Sequence, residues 1–205
     1  MWANILESLG YYTFIDWTVL VTGIIYAILS MLNKPICWVF GIISCGLLSY
    51  QDFTKYNLLF DGVLQIFYVL IGILGLVRWM RRKTDEGNPM VISLPLLSHF
   101  NALLLGSLIS IVLVFLITFV FDPSVAFLDC LTTVFSFWAT WLLVNRVYDV
   151  WYYWIIINIL YIYIYFSQGA DLFAVLFVVY LATSIGGLWS WRKDFKATLP
   201  YLETV

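Results

Sequence analysis

The chain has 205 residues, of which 63% are hydrophobic and 11% charged, and its formal net charge is −2. A soluble globular domain is about 45–50% apolar and about 25% charged. This chain therefore has too few charged side chains to cover a water-exposed surface, and its surplus apolar surface must face lipid. The composition excludes a soluble globular protein and predicts an all-α polytopic membrane protein with a single transmembrane domain over residues 1–205.

Seven apolar segments follow one another along the chain. Polar stretches with Pro and Gly separate them, and the longest of these stretches lies at 81–95. A membrane-spanning helix needs about 20 mostly apolar residues, so the chain is long enough for seven spans with short loops. In chain order the predicted helices cover residues 17–32, 36–50, 58–79, 102–121, 125–145, 151–166 and 172–191.

The basic residues are distributed unequally between the two ends of these helices. Seven spans place the two termini on opposite sides, and only Lys55 then lies on the side of the N-terminus. Lys and Arg accumulate in cytoplasmic loops, which predicts an external N-terminus and a cytoplasmic C-terminus. The basic residues on the C-terminal side are Lys34, Arg78, Arg81, Arg82, Lys83, Arg146, Arg192, Lys193 and Lys196.

The third and seventh helices carry the same spaced motif, a Tyr, a Gly and a Trp followed by basic residues. The two sets are Tyr68, Gly75 and Trp79, and Tyr180, Gly187 and Trp191. Residues 17–79 and 125–191 are therefore predicted to be two copies of a three-helix unit, and 102–121 a linker helix that lets both copies run in the same direction. Parallel repeats of this kind occur in transporters, with the substrate site at the repeat interface near the midplane.

The third predicted helix contains three polar or amphipathic residues on one face, Asp61, Gln65 and Tyr68, at positions i, i+4 and i+7. Ionisable and amide groups inside a span are costly and usually functional. These residues are therefore candidates for lining a polar substrate cavity. The alternative is a structural role, because Gln and Tyr also form hydrogen bonds between helices.

The fifth predicted helix carries Asp129, Thr132, Thr133 and Ser136 on adjacent turns, followed by Trp138. A carboxylate near the outer end would attract a cationic solute at the entrance, or it would cap the start of the helix. Ser and Thr hydroxyls also bond to the carbonyls of their own helix. Asp129, Thr133 and Trp138 are taken as candidate binding residues beside this structural alternative.

The sixth predicted helix carries the most informative pattern. Trp151, Trp154 and Asn158 recur at i, i+3 and i+7 and form one stripe. Two indoles can stack on a flat ring or attract a cation to their π faces, and an amide can both donate and accept hydrogen bonds. Trp151 also suits an interface anchor, but Asn158 lies too deep for that role. Tyr180, in the seventh helix, is a further candidate.

Signals of enzymatic chemistry are missing from the sequence. The single histidine, His99, has no Cys or acidic cluster near it in sequence, and there is no phosphate-binding glycine loop or metal-ligand spacing. Cys37, Cys45 and Cys130 are interpreted as core-filling residues. We expect no enzyme activity, cofactor, metal or nucleic-acid partner. A membrane scaffold or receptor, whose polar stripe only holds helices together, and a sugar carrier remain alternatives.

Several runs resemble the PnuC family of vitamin transporters. They are residues 33–44 with Trp38, the string Gln65-Ile66-Phe67-Tyr68 followed by Gly75 and Trp79, the set Asp129, Thr132, Thr133 and Ser136, and the stripe Trp151-x2-Trp154-x3-Asn158. The resemblance covers about residues 17–193. It implies a SWEET-like fold of three, one and three helices, in which Trp151, Trp154, Asn158, Gln65 and Tyr68 bind the substrate.

The resemblance also implies a function. Such proteins move unphosphorylated vitamin precursors by facilitated diffusion across the bacterial inner membrane, chiefly nicotinamide riboside and in some branches thiamine. A cytoplasmic kinase then traps the substrate, and the remaining expected partners are membrane lipid and, as an alternative to a monomer, a homo-oligomer. The chain departs from the family at 74–79, where many members have further aromatic residues. Nicotinamide riboside is favoured, with thiamine as the alternative.

Overall fold

The computed structural model describes residues 13–56, 59–81, 89–117, 123–167 and 171–202. Within these ranges the chain is helical apart from short turns and an isolated bridge between Ile92 and Val147. A π-helical turn, Asp52–Tyr56, follows the second helix. The α-helices are α1 Phe14–Met31, α2 Cys37–Gln51, α3 Leu59–Arg81, α4 Leu96–Ile117, α5 Pro123–Val144, α6 Val150–Ser167 and α7 Asp171–Leu202.

Six of the described helices are long and apolar enough to cross a membrane, and α2 is the exception. This helix has 15 residues, whereas a span needs about 20. The π-helical turn Asp52–Tyr56 continues it directly, so that 37–56 forms one helical segment of the required length. The prediction of an all-α polytopic protein is confirmed. Among the described residues six helices are long and apolar enough to span a membrane, and α2 is a shorter helix.

Two helix boundaries differ clearly from the predicted ones. Helix α4 begins at Leu96, earlier than the predicted 102, and its predicted end at 121 lies outside the described residues. The polar residues around His99 hid this start in the sequence. Helix α7 continues to Leu202, beyond the predicted end at 191. Its last turns are amphipathic, since Trp191 and Thr198 are buried whereas Lys193 and Lys196 are exposed.

The chain divides into two compact units, residues 1–90 with 189–205 and residues 91–188. The first unit contains α1, α2, α3 and the end of α7, and its core is aromatic. The Trp79 ring lies 5.4 Å from that of Trp38 and 5.5 Å from that of Trp191. The Trp191 indole donates a hydrogen bond to the Ser30 carbonyl (3.1 Å), and Asn33 Nδ2 donates to Asp194 (2.8 Å). These contacts explain why helix α7 continues past residue 191.

The second unit contains α4, α5, α6 and the beginning of α7. Most side chains of α4 are exposed, as expected for a helix that faces lipid, and its buried positions in the described range include Gly106 and Ser110. A Cβ built at Gly106 would lie 2.8 Å from the Phe135 ring. Helix α4 therefore packs against α5 through small residues that allow close approach, as is usual between membrane helices.

The turns that end α1 and α5 have the same backbone geometry. Asn33 and Arg146 adopt left-handed conformations, with φ of 54° and 53°. The Lys34 amide donates to the Leu29 carbonyl (2.9 Å), and the Val147 amide donates to Leu142 (3.0 Å). Together with the bonds from the Asn33 and Arg146 amides, these are the two hydrogen bonds of a Schellman motif. Each turn leads directly into a helix that carries a buried Trp on its first turn.

Candidate functional site

The predicted stripe on α6 occupies one face of the helix, and most of it is buried inside the second unit. Trp151 is 4% exposed and Asn158 is 3% exposed, while Trp154 is half-buried. An α-helix turns by about 100° per residue, so these three side chains project within a narrow sector. Asn158 is thus buried by protein inside the second unit.

The first residue of the stripe packs against a glycine of α7. A Cβ built at Gly187 would lie 2.5 Å from ring atoms of Trp151. This distance is well below the usual contact of about 3.5–4.0 Å, so only glycine leaves room for the indole at that position. Gly187 therefore lets α7 approach α6 and sets the position of the Trp151 ring.

The last residue of the stripe is held by a chain of hydrogen bonds that reaches α7. Asn158 Nδ2 donates to Ser184 Oγ (3.0 Å), and Ser184 Oγ donates to the Tyr180 carbonyl (2.7 Å). Both side chains are buried. A polar group taken out of water without a partner is costly, and these bonds satisfy the Asn158 amino group in the interior. Sequence reasoning missed Ser184, although it lies four residues after the predicted Tyr180 on the same face of α7.

The same packing of a Trp on a Gly occurs in the first unit. A Cβ at Gly75 of α3 would lie 2.4 Å from the ring of Trp38, which is on the first turn of α2. The Trp38 ring therefore packs on Gly75 in the same way as the Trp151 ring packs on Gly187. Both glycines belong to the Tyr, Gly and Trp motif that the sequence shows twice, and their shared role is to accept an indole.

The polar residues of α5 are only partly on one face. Asp129 is exposed and Thr133 is half-buried. The Thr132 hydroxyl donates to the Leu128 carbonyl (2.9 Å), which is the structural role considered above. Trp138 is half-buried and projects from the opposite side of the helix from Ser136, two residues before it, because successive residues differ by about 100°. The structure therefore does not group Trp138 with the polar face.

On the polar face of α5, one buried hydroxyl lacks a hydrogen-bond partner among the described residues. Ser136 Oγ is buried, and no hydrogen-bond partner for it occurs among the residues described by the structure. Buried hydroxyls in proteins are normally paired with protein groups or ordered water. The Ser136 hydroxyl is thus able to bind a ligand group or a water molecule in the interior of the second unit.

The candidates of α3 lie in the first unit. Gln65 and Tyr68 are both half-buried, and the Tyr68 ring lies 5.9 Å from that of Phe67. Asp61 is in the same helix at the predicted spacing, but its side chain lies outside what the structure describes. The helical register places Gln65 and Tyr68 on neighbouring turns of one face, as predicted.

A cavity of about 290 Å³ lies between α4, α5 and α6, but the predicted stripe does not line it. It is lined mainly by apolar side chains of these three helices, among them Leu103, Phe135 and Ile156. On α6 these lining residues are on the side opposite to Trp151 and Asn158. An apolar cavity beside the lipid-facing helix α4 does not suit a polar, charged solute. The candidate site therefore comprises the contacts of α6 with α7 and does not include this cavity.

A polar cluster that the sequence did not reveal surrounds Asp149 in the turn before α6. Its carboxylate accepts hydrogen bonds from Ser93 Oγ (2.9 Å) and from the Leu94 amide (2.9 Å), and it lies 3.4 Å from His99 Nε2. His99 Nδ1 is 3.0 Å from the Tyr153 hydroxyl. The sequence shows no acidic cluster near His99, and the structure adds a single carboxylate, Asp149, which is distant along the chain.

The Asp149 cluster has a structural role at the start of α4. Its bonds hold the segment before Leu96 against the turn that begins α6. Within the described ranges no group of three or more metal-ligating side chains occurs. The Asp149 cluster therefore ties the segment before α4 to the start of α6.

Comparisons with known proteins give one family and one related structure. The sequence profile of a family described as "Nicotinamide mononucleotide transporter" matches residues 13–193. The structure described as "Crystal structure of the Vitamin B3 transporter PnuC" has the same fold, with a TM-score of 0.72 and 22% sequence identity, covering 95% of this chain and 87% of that chain. No curated protein matches the sequence significantly.

Proposed function

We propose that this chain, which belongs to the PnuC family of nicotinamide mononucleotide transporters, takes up the unphosphorylated precursor nicotinamide riboside by facilitated diffusion. Membership of the family makes the chain a multi-pass membrane transporter for a vitamin compound rather than an enzyme. The observation that carries the proposal for the substrate is the neutral polar pair Asn158 and Ser184, buried beside two tryptophans of α6.

The chemistry of this stripe suits an uncharged sugar and a flat cationic ring. Indole faces attract an aromatic cation, and an amide with a hydroxyl can pair with carboxamide or ribose groups. A phosphate group needs charged partners when it is removed from water, and the described stripe supplies an amide and a hydroxyl instead. This is why we favour the riboside over the mononucleotide as the transported species.

Each unit by itself has a set of proposed substrate-binding residues. In the second unit these are Trp151, Trp154, Asn158 and Tyr180, with Thr133 and Asp129 on the polar face of α5 and Trp138 as a separate prediction on the other side of that helix. In the first unit they are Gln65, Tyr68 and Asp61. The proposed arrangement of three, one and three helices has two supports. Each unit has a Trp packed on a Gly, and each has a Schellman turn before the helix that carries that Trp.

The energetics of the substrate favour a uniporter. A monocation that moves into a cell with a negative interior gains about 2.3 kcal/mol per 100 mV. This corresponds to roughly 45-fold accumulation, since about 1.4 kcal/mol is tenfold. A cytoplasmic kinase would then trap the transported substrate by phosphorylating it. The basic residues at the predicted cytoplasmic ends, among them Arg78 and Arg192, support an external N-terminus and a cytoplasmic C-terminus.

The test is a binding titration of the purified protein in detergent, followed by its tryptophan fluorescence. Nicotinamide riboside, thiamine and nicotinamide mononucleotide are titrated separately against the wild type and the Asn158→Ala variant. We expect saturable quenching by the riboside, a much weaker response to the mononucleotide, and loss of the response in Asn158→Ala without loss of folded protein.

Each other outcome leads to a different conclusion. Quenching by thiamine alone would assign the chain to thiamine uptake by the same fold. Equal affinity for the mononucleotide would contradict the argument from the neutral site. A normal riboside response in Asn158→Ala would show that the amide of α6 does not bind the substrate, and a loss of assembly in this variant would favour a purely structural stripe.

A further inference from the structure

We propose that Ser184 is a positioning residue that fixes the orientation of the Asn158 amide, so that the site presents the amide oxygen and selects a ligand group that donates a hydrogen bond. This inference rests on the proposed function, because it takes Asn158 as a residue that touches the substrate. It adds Ser184 of α7 to the site, and it predicts that the site prefers substrates that donate a hydrogen bond to Asn158.

The argument begins with the single proton of the Ser184 hydroxyl. Ser184 Oγ donates this proton to the Tyr180 carbonyl, at 2.7 Å. A hydroxyl has only one proton to donate, so Ser184 can only accept from Asn158. The group of Asn158 that lies 3.0 Å from Ser184 Oγ must then be the amino group, Nδ2. The hydrogen-bond network, which is the proper basis for orienting an amide, thus favours the orientation with Nδ2 toward Ser184 as long as Ser184 donates to Tyr180.

The opposite orientation would be unfavourable at this depth. It would place Asn158 Oδ1 against Ser184 Oγ, and the Ser184 proton could bond to that oxygen only by leaving the Tyr180 carbonyl. Asn158 is 3% exposed and Ser184 is also 3% exposed, so bulk water would not replace the bond that the Tyr180 carbonyl would lose. The amino group of Asn158 therefore stays bonded to Ser184 of α7, and the amide oxygen points away from Ser184.

The amide oxygen is then the group that remains for the substrate. The hydrogen bond that Asn158 makes with α7 uses its amino group, Nδ2, so the acceptor Oδ1 takes no part in it. A carbonyl oxygen accepts from an N–H or O–H and is repelled by a carboxylate. The site should therefore prefer a ring that carries a carboxamide over the same ring with a carboxylate, which has no proton to donate at neutral pH.

Nicotinamide riboside and nicotinic acid riboside form a matched pair of probes. They share the pyridinium ring and the ribose, and they differ in the carboxamide or carboxylate group. We expect the wild type to bind the amide at least about tenfold more tightly than the acid, because one hydrogen bond is replaced by a repulsive contact between acceptors. Kd values are measured by tryptophan quenching or by calorimetry.

The variants separate positioning from a general loss of structure. In Ser184→Ala the amide of Asn158 is free to turn, so its amino group can pair with the acid. We expect this variant to bind nicotinic acid riboside more tightly than the wild type does, and the ratio of the two Kd values to approach one. Ser184→Thr keeps the hydroxyl and should keep the wild-type ratio.

The matched control is Thr183→Ala. Thr183 Oγ1 also donates to the Tyr180 carbonyl, at 2.9 Å, but Asn158 bonds to Ser184 rather than to Thr183. We expect Thr183→Ala to leave the ratio unchanged. A merely structural role for Ser184 would weaken both ligands together, and it would not produce a gain in affinity for the acid.

The outcomes distinguish this inference from the proposed function. A wild type that binds the riboside without preference for the amide, or a Ser184→Ala variant that keeps the preference, overturns the positioning role and leaves the proposed function standing. A folded wild type that binds neither riboside overturns the proposed function and this inference with it.

Discussion

The replacement of Gly187 by Ala tests the central packing contact of the second unit. The new Cβ would lie 2.5 Å from each of three atoms of the Trp151 ring. An ordinary contact needs about 3.5 Å, so the ring or the helix must move by about 1 Å. The ring is rigid and 4% exposed, and it cannot swing aside as the end of a flexible side chain would.

The magnitude follows from two opposing effects. Overpacking a well-packed core costs about 1–3 kcal/mol, and the rigid indole places this site in the upper part of that range. Replacing Gly by Ala within a helix returns up to about 1 kcal/mol. The net loss in the free energy of unfolding should be about 1–2 kcal/mol, which lowers the Tm of a chain of this size by about 2–8 °C.

The assay is thermal unfolding in detergent, followed by tryptophan fluorescence, with Gly46→Ala as the matched control. A Cβ at Gly46 would meet no atom within 4 Å, so this variant has only the favourable helix effect and should melt at or above the wild-type temperature. In a Trp151→Ala background the clash is removed, and adding Gly187→Ala should then cost nothing.

Three results would refute this reasoning. The first is a Gly187→Ala protein that melts at the wild-type temperature or above it. The second is an equal loss in Gly46→Ala, which would show a general intolerance of Ala in these helices. The third is an undiminished cost of Gly187→Ala in the Trp151→Ala background, which would place the strain somewhere other than the indole.

The remaining predictions concern other contacts, and all are measured by the same thermal unfolding. Gly75→Ala, whose Cβ would lie 2.4 Å from Trp38, should lower the Tm by a similar amount, and a neutral effect would show that the two units do not share this packing. Asp149→Ala should cost about 1.5–3 kcal/mol, because a charged acceptor of several hydrogen bonds is lost at the start of α4; an unchanged Tm would contradict the structural role given to this carboxylate. Asn33→Ala should be less stable than Asn33→Gly by about 1–2 kcal/mol, because the left-handed φ of 54° strains residues that have a Cβ. Equal stabilities would mean that the turn relaxes.

Sequence patterns predicted the helices where the signal is local. The apolar runs of α1, α3, α5 and α6 have the expected bounds to within a few residues, since both hydropathy and helix-breaking residues are read along the chain. The predicted start of α4 and the predicted end of α7 differ from the observed ones. In both places polar residues satisfy their hydrogen bonds with a distant segment, as Asp149 does for Leu94 and Asn33 does for Asp194.

The candidate site divides in the same way. The spacing of Trp151, Trp154 and Asn158 predicts one helical stripe, and the structure shows that stripe with Asn158 buried. The partners of the stripe could not be predicted, because Ser184 and Gly187 belong to another helix. Trp138 was grouped with the polar residues of α5 by proximity in sequence, whereas the turn of the helix directs it to the other side.

The sequence by itself determined the class of the protein, the approximate bounds of most of the helices that the structure describes, the repeated Tyr, Gly and Trp motif and the family. These properties depend on composition and on regular spacing, which can be read from the sequence without knowing which residues are in contact. Only the tertiary structure decided which side chains meet. Asn158 donates a hydrogen bond to Ser184, which is 26 residues away in sequence, and Asn33 donates one to Asp194, which is 161 residues away. Such pairings depend on how helices pack, and no periodicity within a single helix specifies them.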